Sequence, residues 1–139
     1  MRTPALVLIA LALTAGCGTS GKGSSFSQPP VSSFQVGPCR TTAPATLRIG
    51  RDARNLGKGR TIPEDIRAHL KADQDLLVAA QPDFDPTAKP AIDAFVIEIG
   101  LVRLRADTSG YEPALGAALS KAYDAAVQSC TAPKATPTP

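Results

Sequence analysis

The only histidine in the chain, His69, stands four residues before Asp73. On a helix that spacing puts imidazole and carboxylate on one face, where the acid can orient the ring as it does in a hydrolase dyad. Such a dyad also needs a nucleophile, and no serine or cysteine sits in a motif such as G-x-S-x-G. The pair therefore reads as a helix-surface contact worth roughly a few tenths of a kcal/mol. The other paired carboxylates are Asp73 with Asp75, and Asp83 with Asp85 on either side of Phe84. They lack the glycine and distal glutamate of a calcium loop, so loop and solvent positions are expected for them, with Asp83 and Asp85 initiating the next helix. Gly16, Gly21 and Lys22 match the spacing G-x-x-x-x-G-K, but Gly23 occupies the place of the metal-holding Ser or Thr and no strand precedes. The charge pattern that stands out is Arg48, Arg51 and Arg54, which share one helical arc, followed by Lys58 and Arg60. That arc can touch anionic lipid heads or an acidic envelope polymer, although a solvated polar face is the ordinary role of such an arc.

The N-terminal stretch carries a different chemistry. Arg2 is the only charge before an apolar run, Ala5 to Leu13, that is shorter than the ~20 residues needed to cross a hydrocarbon core. The run fits the apolar region of a secretory signal. Leu13-Thr14-Ala15-Gly16-Cys17 comes directly after it. This segment resembles the lipobox of bacterial lipoproteins, in which a diacylglycerol is attached to the cysteine thiol and the peptide bond before it is cut. The resemblance implies a signal peptide over 1–16, lipid on Cys17, and a protein anchored on the outer, extracytoplasmic face of a cell membrane. High usage of Ala, Arg, Pro and Gly adds a likeness in style to small actinobacterial lipoproteins.

With Cys17 set aside, Cys39 and Cys130 remain as a pair in a chain exported to a compartment that permits disulfides, and a bond between them is expected. Closing a loop of roughly 90 residues contributes about 4 to 5 kcal/mol in the chain-entropy model. A single histidine and cysteines already accounted for leave no ligand set for zinc, so neither metal nor cofactor is expected. A net charge of +3 over 139 residues is too mild for a nucleic-acid partner.

Four elements must position these residues. Scarce aromatics and abundant alanine and leucine favour helices over a β-sandwich. Residues 17–37, rich in Gly, Ser and Pro, read as a tether about 25 Å in mean reach, in which Phe26 and Phe34 are expected to be solvated. A first helix is predicted from about Thr42 to Leu56, with Ala45, Ile49, Ala53 and Leu56 as its core stripe. Thr61 and Glu64 form a capping-box pattern ahead of a second helix carrying Ile66, Leu70, Leu77 and Ala80, a stripe that Asp73 interrupts. A third helix, confined by Pro86 and Pro90 to start near Thr87, steps through Ala88, Ile92, Phe95, Ile99, Val102 and Ala106, with Val96, Ile97, Leu101 and Leu104 widening the stripe. Ser109 and Glu112 form a second capping-box pattern before a helix presenting Tyr111, Leu115, Ala118, Leu119, Ala122, Ala126 and Val127.

Short links between four helices predict an all-α, antiparallel four-helix bundle over 38–132 pinned by one disulfide, with a disordered tail over 133–139. Four antiparallel passes bring Cys39 and Cys130 to one end. Three functions compete on this architecture. The leading expectation is a non-enzymatic interaction module bound to another envelope protein. The alternatives are a carrier of a lipid or haem-like ligand near Phe95, Tyr111 and Tyr123, and a small hydrolase using His69.

Overall fold

The computed structural model describes residues 26–108 and 110–133. The expected signal peptide, Cys17, Ser109 and nearly all of the expected tail lie outside the described residues. Among the described residues four α-helices occur in order, α1 (Pro38–Leu56), α2 (Glu64–Ala80), α3 (Lys89–Asp107) and α4 (Pro113–Thr131), with one-turn 3-10 helices at Val31–Ser33 and Gln81–Asp83. Each helix packs on its sequence neighbours, and α1 packs on α4, which closes the ring of an up-down-up-down bundle. The Cys39–Cys130 disulfide joins the start of α1 to the end of α4, with Cα atoms 5.5 Å apart. At the opposite end the Tyr111 hydroxyl donates to the Leu56 carbonyl at 2.6 Å, tying the loop before α4 to the last turn of α1.

Helix boundaries depart from the sequence reading wherever proline starts a helix in place of a polar cap. α1 begins at Pro38, earlier than Thr42, behind Gly37 at φ 106°. Only glycine adopts that left-handed conformation without strain, and it turns the incoming chain into the helix axis. Pro44 consequently lies inside α1, where its missing N–H leaves the Arg40 carbonyl without its usual donor on an exposed face. α2 starts at Glu64 directly after Pro63, so the Thr61–Glu64 capping box is not formed, and Glu64 pairs with Arg67 at 2.5 Å. α4 starts with Pro113 in its first turn behind Glu112, which makes no side-chain cap bond. Ahead of α3, Asp85 behaves as expected: its side chain accepts from the Thr87 amide (2.9 Å) and hydroxyl (2.7 Å), and its carbonyl accepts from Ala88 and Lys89.

The core stripes of α1 and α4 keep to the helical period, with Ala45, Ile49, Ala53, Leu56, Leu119 and Ala126 all buried. Three departures from the expected pattern bear on the surface of the bundle. First, the segment expected to be a free tether up to residue 37 is docked from Phe26 onward. Phe34 is buried at 1% exposure, the Gln35 amide donates to the Cys130 carbonyl (2.9 Å), and Arg40 donates to the Phe34 and Ser32 carbonyls. A large aromatic beside the disulfide had apolar surface available to cover, which an isolated linker lacks. Second, Asp73 is not a solvent-facing interruption of α2: it is 0% exposed, between Leu70 and Leu77. Third, Ile97, Leu101 and Leu104 do not widen the core stripe of α3, being 61%, 40% and 58% exposed.

Close approach of α1 and α4 depends on two glycines as much as on alanine. A Cβ on Gly50 would lie 2.3 to 2.6 Å from Tyr123 ring atoms, and one on Gly116 would lie 2.7 Å from the Gly57 amide nitrogen. The Tyr123 ring thus rests on the α1 backbone, flanked by Phe26 (6.1 Å between centroids) and Phe95 (6.2 Å).

Candidate functional site

The basic arc read from the sequence is divided by the tertiary structure. Arg48 belongs to the α1–α2 interface, where its Nε and Nη2 donate to the two oxygens of Asp73 at 2.7 and 2.5 Å. A planar guanidinium meets a carboxylate well in this bidentate form. That hydrogen bonding raises the Arg48 pKa, with attraction to Asp73 acting in the same direction. Arg48 is therefore a neutralised structural cation, and Asp73 is occupied by it instead of orienting His69, which is exposed. Asp52 lies on the same side of the bundle, and its Oδ2 is buried without a hydrogen-bond partner. Burial pushes the Asp52 carboxyl above its ordinary value, while charge on His69, Arg51 and Arg48 pulls it back.

The remaining members of the arc gather elsewhere. Arg51, Arg54 and Lys58, from the second half of α1 and the turn after it, face Lys121 and Asp124 of α4 across an open groove of about 850 Å³. Its floor is small, with Ala53, Gly57 and Ala117, and Phe26 closes one end. Arg54 donates to Asp124 at 2.9 Å and stacks its guanidinium 3.6 Å from the Phe26 ring centroid. Arg51, Lys58 and Lys121 are exposed and make no ion pair among the described residues. Arg60, in the α1–α2 connection, is exposed and does not line the groove.

Sequence reasoning missed Lys121 and Asp124 because they lie on α4, distant in the chain from the arginines they meet. The available signal was weak: a lysine and an aspartate three apart on the polar side of a helix. Phe95, Tyr111 and Tyr123, considered as a ligand pocket, are instead buried among core side chains. Burial pushes the hydroxyls of both tyrosines above their ordinary range, opposed at Tyr123 by the Gln28 side chain beside it. Among the described residues, no group of three or more His, Cys, Asp or Glu side chains could hold a metal ion, and no helix is long and apolar enough to cross a membrane. Comparison with family models, with curated proteins and with solved structures returns no match to this chain.

Proposed function

We propose that the chain is an extracytoplasmic lipoprotein, held on the outer face of a bacterial membrane by lipid on Cys17, whose bundle is a non-enzymatic interaction module for an acidic surface of another envelope protein. The observation that carries this reading is the α1–α4 groove, where Arg51, Lys58 and Lys121 make no ion pair among the described residues and surround a floor of small side chains. Cations so arranged attract an anionic partner within a Debye length of about 8 Å and set its orientation more than its affinity. Arg54 is already committed to Asp124 and Phe26, so it shapes the groove wall. Phe26, at one end of the groove, is only nine residues from Cys17 in sequence, which supports a partner lying near the same membrane.

Native mass spectrometry of the protein extracted from its own membrane tests this. Lipid mass at Cys17 and a retained protein adduct are expected. The charge-reversed variant Arg51→Glu, Lys58→Glu, Lys121→Glu should lose the adduct with an unchanged melting curve. An adduct that survives charge reversal would remove the groove from the function, and a stoichiometric small molecule in its place would make the bundle a carrier.

A further inference from the structure

The outer face of α3 is apolar where a bundle helix ordinarily carries charge. Ala94, Ile97, Leu101 and Leu104 step by 3, 4 and 3, diametrically opposite the buried row of Phe95, Ile99 and Val102. Such spacing is the seam of a helix that packs on another helix, and among the described residues nothing covers it. Along one edge of the stripe lie Glu98 and Arg105, neither of them in an ion pair among the described residues. They are one heptad apart, about 10 Å along the axis.

Opposite charges one heptad apart on the same edge are self-complementary in only one arrangement. A two-fold axis perpendicular to α3 and passing beside Leu101 sets a second α3 antiparallel to the first, with like edges together. Glu98 of each copy then stands level with Arg105 of the other, twice over. In that register the two Leu101 side chains meet at the axis, and Leu104 of each copy falls between Ile97 and Leu101 of the other. On the opposite edge Asp93 is already held by Lys89 at 3.2 Å. A parallel pair would set unlike edges together and bring Glu98 of one copy beside Asp93 of the other, two acids, which is unfavourable.

We propose that this stripe is the interface of an antiparallel homodimer built on α3. A single pair of helices buries less than the ~1,200 to 2,000 Å² of a standard stable interface. The dimer is therefore weak and reversible in solution and is favoured when copies are confined to one membrane, where effective concentration is high. The α1–α4 groove lies on other helices, so a dimer presents two grooves.

The test is sedimentation equilibrium of the full chain in density-matched detergent over a wide range of protein-to-detergent ratio. The mass should rise from one chain to two, and Leu101→Lys should stay at one chain with an unaltered melting curve, because the site is exposed. Glu98→Arg or Arg105→Glu alone should weaken association about tenfold, since each sets like charges together at both ends of the interface. The double variant Glu98→Arg, Arg105→Glu should restore it. A single-chain mass throughout, association indifferent to Leu101→Lys, or a double variant no stronger than the singles would each overturn the proposal.

Discussion

Replacing Arg48 by methionine isolates the reason that a carboxylate is tolerated in the bundle core. The substitution keeps most of the aliphatic stem and removes both charge-assisted hydrogen bonds to Asp73, at 2.5 and 2.7 Å. Removing one partner of a buried ion pair costs ~3 to 5 kcal/mol, because the charge left behind is dehydrated and unpaired. Asp73 is fully buried, but the Arg48 side chain is 41% exposed, so water can enter the vacated space and recover part of the loss. The expected loss is about 3 kcal/mol, or roughly 12 to 24 °C in Tm for a domain of this size. Urea unfolding monitored by far-ultraviolet circular dichroism, with the disulfide intact, measures it. The double variant Arg48→Met, Asp73→Leu should recover most of the loss, since an apolar pair has no orphaned charge. A single variant losing under about 1 kcal/mol, or a double variant as unstable as the single, would refute the reasoning.

Three further outcomes are expected. Gly50→Ala should cost about 3 kcal/mol by thermal unfolding, because the Tyr123 ring lies 2.3 to 2.6 Å from the new Cβ and is hemmed in by Phe26 and Phe95. Gly57→Ala, whose Cβ would meet nothing closer than 3.9 Å, is the control and should stay near wild type. Asp52→Asn should stabilise the protein at neutral pH. Burial raises the folded-state pKa of Asp52 above its ordinary value of 3.8, so stability falls as pH rises from 3.8 through the raised value, and the asparagine variant should lose its advantage below that window. Denaturation curves at neutral and acid pH check the sign. Replacing Cys39 and Cys130 together by alanine should lower stability by about 4 kcal/mol, read as a drop in the urea midpoint.

How much is legible in the sequence varies by element. α1 is readable because its stripe of Ala45, Ile49, Ala53 and Leu56 is a local period with one solution. α3 shows the limit of the same rule. Its apolar residues cover both faces, and periodicity alone assigns Ile97, Leu101 and Leu104 to the core that Phe95, Ile99 and Val102 actually fill. Helix starts differ from the capping patterns at α2 and α4, where Pro63 and Pro113 take the part expected of Thr61 and Ser109, and α1 begins at Pro38, ahead of the expected Thr42, since a preset φ favours helix entry without any side-chain cap. Of the candidate site, Arg51, Arg54 and Lys58 are visible as one helical arc, while Lys121 and Asp124 are hidden by some seventy residues of intervening chain.

Helix count, the alternating direction of the helices and the cysteine pairing all follow from one-dimensional quantities: apolar period, link length, and the parity of cysteines left after Cys17. The inward turn of Asp73, the burial of Phe34 and the departure of Arg48 from the basic arc have no such local origin. Each depends on a partner brought from another segment, Arg48 for Asp73 and the α4 terminus for the 26–37 strap. Whether a polar group can be buried is set by what stands opposite it in space, and no local pattern records that.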